Sequence, residues 1–244
     1  MRFSKKGGDM KNDAFDRRSF LKGAVVGSAA AVTGALPQSA EAQQRAPAPP
    51  AAAPAYSFLN LEEQAFIEAV VDHMVPADEH SPKGTDIGIN VFIDRALASG
   101  WGKGDRLYMQ GPWKRGVPNQ GYQLPLTPAE LYRVGIQAAN AHCVKVYGKT
   151  FDKITEGERE EFLLAWQGGK VTFEGGPPAR VFFNMLYQNV MQGMFSDPIY
   201  GGNRDKAGWK MIGFPGIIAV HYQNVEKYRD KRYVAEYVGI GDMS

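Results

Sequence analysis

Five side chains in one short stretch, Glu68, Asp72, His73, Asp78 and His80, are of types that bind divalent metals, and Glu68 and Asp72 lie one helical turn apart. The same residues also read as the polar face of an amphipathic helix, and that reading is preferred because carboxylates at such spacing are common on solvated helix faces. His142 next to Cys143 pairs a base with a thiol in sequence. Adjacent residues on a helix point in different directions, so no nucleophile–base contact follows. His221, in Ala219-Val220-His221-Tyr222, has no partner visible in the sequence and reads as structural. The chain has no G-x-x-x-x-G-K-[ST] loop, no G-x-G-x-x-G after a strand, and no local signature of a Ser/His/Asp set. Its one cysteine excludes an internal disulfide, a Cys-ligated iron–sulfur cluster and a C-x-x-C-H haem attachment. By elimination, no catalytic, cofactor-binding or metal site is expected in this chain.

The first segment shows where such a chain works. Arg17-Arg18-Ser19-Phe20-Leu21-Lys22 has the form of a twin-arginine export signal, with Asp16 where Ser or Thr usually precedes the arginine pair. An Ala/Gly-rich apolar stretch and a small-x-small site, Ala40-Glu41-Ala42, complete the order expected of a removable signal at 1–42. The twin-arginine translocase carries proteins already folded, usually because they hold a cofactor or travel docked to a protein that does. Seven of the 28 basic residues and four of the 26 acidic ones precede Gln43, which leaves the mature chain near neutral. That balance argues against a nucleic-acid partner. No later apolar run has the roughly 18–20 residues needed to cross a bilayer. A free thiol in an exported protein leaves two readings of Cys143: a structural thiol in an apolar stripe, or an intermolecular disulfide.

The Ala/Pro-rich segment 43–57 reads as a semi-extended linker, and 58–244 as one all-α domain. Asn60 and Glu63 form a capping pair ahead of Phe66, Ile67, Val70, Val71 and Met74 at helical spacing, and Pro76 ends that helix. A second short helix carries Ile89, Phe92, Ile93, Ala96 and Leu97. Residues 100–126, rich in Gly, Pro, Trp and Tyr, form a long irregular loop of the kind that is usually functional. Thr127-Pro128-Ala129-Glu130 opens a helix to about Tyr147 with two apolar stripes. One stripe is Leu131, Val134, Ala138 and Ala141; the other is Tyr132, Ile136, Ala139, Cys143 and Val146. Thr155 and Glu158 cap the next helix, which Gly168-Gly169 stops. Pro177-Pro178 opens another, to about Phe195, with no charged residue from Val181 onward, and it is expected to be buried on all sides.

After it comes Ser196-Asp197-Pro198-Ile199-Tyr200-Gly201-Gly202-Asn203, continuing through Trp209 to Phe214. Asp-Pro and Gly-Gly-Asn are tight-turn chemistry, and large aromatics on such a loop either meet a partner or cap the chain's own core. This segment resembles the signature of the gluconate 2-dehydrogenase subunit 3 family, the small (gamma) subunits of periplasmic flavoprotein dehydrogenases. The likeness extends to the opening helix from Ala65 to Asp78, to Gly88 through Phe92-Ile93-Asp94, and to Gly121-Tyr122-Gln123 with Leu126-Thr127-Pro128.

The resemblance implies a non-catalytic subunit that carries an FAD-containing large subunit through the twin-arginine pathway. It also implies a multihaem cytochrome c subunit that passes electrons to membrane quinone, and residence in the periplasm, held at the inner membrane by partners. Asp197, Tyr200, Gly201, Gly202, Asn203, Trp209 and Phe214 would then belong to the partner interface, and Cys143 to a crosslink with the flavoprotein. Gluconate is the closest substrate match. 2-Ketogluconate, sorbitol, fructose, glucose or an alcohol fit the same role, and an independent exported metal- or ligand-binding helical protein is the remaining alternative.

Overall fold

A computed structural model describes residues 55–243 except 115, 218–221 and 234–235. The twin-arginine motif with its cleavage site, residues 43–54 of the linker, and His221 lie outside the described residues. Helix α1 (Leu61–Met74) begins at Asn60, whose side chain accepts the Glu63 N–H at 3.0 Å while the Glu63 carboxylate accepts the Asn60 N–H at 2.9 Å. Two of the N–H groups that a helix start leaves without partners are thereby satisfied reciprocally. The helix stops at Val75, which precedes Pro76 and has left the helical region (φ −130°, ψ 75°). Helix α2 (Ile89–Ala98) follows. Capping boxes at Thr127–Glu130 and Thr155–Glu158 then open α3 (Pro128–Tyr147) and α4 (Glu156–Gln167) where the sequence placed them. Helix α5 (Ala179–Phe195) is entered through Pro178, and α6 (Ala207–Ile212) and α7 (Tyr222–Lys227) are short. Residues 100–126 are turns with one short 3-10 turn, Pro118–Gln120. No strand occurs among the described residues, only an isolated bridge between Gly216 and Val238. The all-α expectation holds.

Helices α1, α2, α3, α4 and α5 close around one core. A continuous run of rings holds it together: Phe66 to Phe151 (5.2 Å between centroids), Phe151 to Phe162 (5.8 Å), Phe162 to Trp166 (5.2 Å), Trp166 to Phe182 (5.5 Å) and Phe182 to Tyr132 (5.3 Å). All six are fully buried, and a large side chain of this kind contributes roughly 1.5–3 kcal/mol on burial. The polar tips are satisfied: Trp166 Nε1 donates to the Ala179 carbonyl at 2.8 Å and the Tyr132 hydroxyl to Asn189 Oδ1 at 2.7 Å.

The structure corrects the expectation for α5. Phe182, Phe183, Leu186 and Val190 face the core, whereas Asn184, Tyr187, Gln188 and Met191 face outward, with Tyr187 47% and Met191 38% exposed. From Val181 onward the helix carries no charge on either side but is buried on only one, because no other element among the described residues covers its outer face. The stripes of α3 are also redrawn. Leu131 joins Tyr132, Ile136, Ala139 and Cys143 inside, while Val134, Ala141 and Val146 face out.

Candidate functional site

Glu68, Asp72 and His73 of the metal-like stretch each tie α1 to a different neighbour. Glu68 accepts from the Tyr56 hydroxyl, and Asp72 accepts from Lys83 Nζ (2.9 Å), the Thr85 N–H (2.8 Å) and Thr85 Oγ1 (3.1 Å). His73 Nε2 lies 2.7 Å from Glu160 Oε2 on α4. Asp78 closes its own turn by accepting the N–H groups of His80 and Ser81, which hold its carboxyl below the usual carboxylate range. Among the described residues, no three His, Cys, Asp or Glu side chains converge as a metal site would require.

The most deeply placed carboxylate is the last residue of the Phe92-Ile93-Asp94 motif, to which the sequence assigns no role. Asp94 of α2 is buried, and it accepts three successive backbone N–H groups, Ser57 (2.7 Å), Phe58 and Leu59 (both 2.9 Å). It anchors the start of the domain against α2. Arg133 of α3 completes that anchor, donating to both Glu63 oxygens at 2.8 Å and to the Phe58 carbonyl at 3.1 Å, with its guanidinium 4.2 Å from the Phe58 ring centroid. A carboxylate on the apolar face of a short helix was the available signal.

Cys143 is fully buried, and its neighbour His142 turns away from it to lie 5.5 Å from the Phe162 ring. Burial pushes the thiol up from about 9 to about 12. A disulfide to another chain needs Sγ at the surface as thiolate, so this fold favours the structural reading of Cys143 over the crosslink. The native chain is therefore expected to resist Ellman's reagent at pH 8 and to react promptly once unfolded in urea. Rapid labelling of the native chain would overturn this. The sign of the pH effect follows from the same shift. The folded thiol keeps its proton where the unfolded one loses it, so this contribution is complete below pH 9 and is lost as pH rises from about 9 toward 12. Burial of Tyr132 acts in the same direction.

The aromatic loop is built largely inward. Asp197 Oδ1 accepts the Ile199 N–H at 3.0 Å and Oδ2 the Ile240 N–H at 2.8 Å, which closes the 3-10 turn Pro198–Tyr200. Gly201 adopts φ 101°, and a Cβ there would sit 3.0 Å from Arg95 Nη1. At Gly202 a Cβ would sit 2.2 Å from the Gly193 carbonyl oxygen, so the loop backbone lies directly on α5. Asn203 (φ 46°) is fully buried; its Nδ2 donates to the Ser196 carbonyl at 2.8 Å and its Oδ1 accepts the Gly208 N–H at 2.9 Å. Trp209 is 3% exposed, its Nε1 donates to the Phe195 carbonyl at 2.7 Å, and its ring meets Phe214 edge-on at 5.4 Å. Asn203 and Trp209 thus cap the chain's own core and do not present surface to a partner in this fold.

What the loop does present is Ile199, Tyr200 and Phe214, each about half exposed. Tyr200 borders an open groove of about 600 Å³ lined by Phe92, Met191, Gln192, Phe195, Ser196 and Tyr200. One turn before Met191 and Gln192 on the same helix, Tyr187 and Gln188 are also exposed. The uncharged stretch from Val181 and the aromatic loop are both legible in the sequence, but that they share one surface with Phe92 is not.

No curated protein and no solved structure gives a significant match to the chain. A family model described as gluconate 2-dehydrogenase subunit 3 matches residues 61–216, from the first residue of α1 to the end of the aromatic loop. That span takes in all of α1, Asp94 and the whole Asp197–Asn203 turn, and the chain belongs to the gluconate 2-dehydrogenase subunit 3 family.

Proposed function

We propose that this chain is the non-catalytic small (gamma) subunit of a periplasmic, FAD-dependent gluconate 2-dehydrogenase complex. In this role it carries the flavin-bearing large subunit through the twin-arginine pathway and stabilises it afterwards. The family match over 61–216 carries the reading, and the twin-arginine motif at Arg17-Arg18 supplies the export half of it. FAD belongs to the large subunit and haem c to a cytochrome subunit, which holds the assembly at the inner membrane. Glu68, Asp72 and His73 are engaged in contacts that hold α1 to the rest of the chain, which fits a chain that leaves the chemistry to its partner. The uncovered outer face of α5 fits a chain that works docked, since obligate interfaces resemble a core cut in half.

Gentle affinity purification of the mature chain from native periplasmic and membrane fractions tests this, with absorption spectra and intact masses as readouts. A flavin-bearing chain and a haem-bearing chain are expected to co-purify and to reduce an acceptor with gluconate. Turnover with a different sugar acid, polyol or alcohol would keep the role and rename the substrate. A colourless, stable monomer would overturn the role in favour of an independent exported protein.

A further inference from the structure

The groove between α2, α5 and the aromatic turn has a charge pattern that specifies its occupant more narrowly. Its centre is Phe92, Met191, Phe195 and Tyr200, and α5 has no acidic residue anywhere along its length. Arg95 lies one turn beyond Phe92 on α2, and its side chain rests against the backbone of Gly201, beside Tyr200. Arg95 is exposed, and among the described residues its guanidinium has no ion pair or side-chain hydrogen bond. The nearby carboxylate of Asp197 is already engaged with the N–H groups of Ile199 and Ile240. Ser196 lines the groove as well, and its buried hydroxyl has no hydrogen-bond partner. An apolar cleft is thus bordered by a guanidinium that pairs with no carboxylate among the described residues, although a carboxylate is its natural complement. A second copy docked through the same face would bring another Arg95 and no acidic residue from α5 to receive it.

We propose that this groove receives an apolar side chain from an acidic-flanked segment of the flavin-bearing subunit, with a carboxylate of that segment meeting Arg95. The inference rests on the subunit reading above and adds the docking face. The seam then runs over α2, α5 and the turn at Tyr200, not over the face of α4 that carries Leu164, which is also exposed and does not line the groove.

The test uses the full chain in its native host, with p-benzoylphenylalanine in place of Met191 and, separately, of Leu164. After irradiation and purification, position 191 is expected to crosslink to the flavin-bearing chain, within a peptide that combines apolar and Asp or Glu residues. In parallel, Arg95→Glu is expected to cut the flavin recovered per chain about tenfold or more, the scale on which interfacial charge partners act. Arg95→Lys should restore part of the loss, and the melting curves of both variants should match wild type because Arg95 is exposed. Crosslinks from Leu164 alone, with the flavin-bearing chain still present, would overturn this surface and leave the subunit role intact. A crosslink from Met191 to a second copy of this chain would also overturn it. Absence of any flavin-bearing chain from the wild-type preparation would overturn the subunit role and this inference together.

Discussion

Trp209→Ala is expected to destabilise the domain by about 3–5 kcal/mol, the range for removing a buried tryptophan. Three losses combine. The ring is almost completely buried, its Nε1 is the donor to the Phe195 carbonyl at the end of α5, and it is the edge-on partner of Phe214. Without it the Phe195 carbonyl loses its side-chain donor, and the short helix α6 loses its attachment to α5. Urea unfolding followed by far-ultraviolet circular dichroism measures the effect as a lower midpoint at an unchanged slope. Tyr200→Ala provides the contrast. Tyr200 stands more than half exposed, so its loss should shift stability by no more than about 0.5 kcal/mol. If Tyr200→Ala weakens complex recovery at wild-type stability while Trp209→Ala lowers both, the two aromatics have separate jobs, docking and fold. A Trp209→Ala chain as stable as wild type would show that the loop is not part of the core.

Arg17→Lys combined with Arg18→Lys is expected to leave nearly all gluconate-oxidising activity in the cytoplasm, although the flavoprotein itself is unaltered. This expectation rests on the proposed carrier role. The twin-arginine translocase accepts a folded cargo through one signal, so a large subunit that reaches the periplasm only while docked here is stranded when this signal fails. Fractionation followed by dye reduction with gluconate in each compartment measures it. Full periplasmic activity in the double variant would mean that the flavoprotein has its own route, and the carrier role would fall. The result also separates from the docking experiment, because Arg95→Glu leaves the signal intact and should allow this chain to be exported with little or no flavin.

Much of the helix layout could be read from single residues because helix starts are local chemistry. Asn60 with Glu63, Thr127 with Glu130, and Thr155 with Glu158 each satisfy their own backbone within one turn, and all three boxes form as the spacing requires. The Asp197–Asn203 signature was legible for a similar reason: its glycines and Asn203 are the residue types that its backbone demands. What those residues face was not legible. The uncharged sequence of α5 from Val181 onward is compatible with burial on all sides or on one, since an uncharged side chain is tolerated against a core and against a partner alike. Only the packing of α1 to α4 shows that Tyr187, Gln188 and Met191 are left uncovered.

Asp94 and Arg95 show the same division. Both are charged neighbours on one short helix, yet one is buried and bound to three backbone N–H groups while the other stands exposed over the groove. Cys143 and Trp209 were equally ambiguous as a thiol and an aromatic of unknown exposure, and the fold turned both inward. By itself, the sequence determined the all-α class, the helix starts and the family. The tertiary structure alone decided which apolar residues are spent on the core and which remain for a partner, because burial depends on what other segments bring to each face.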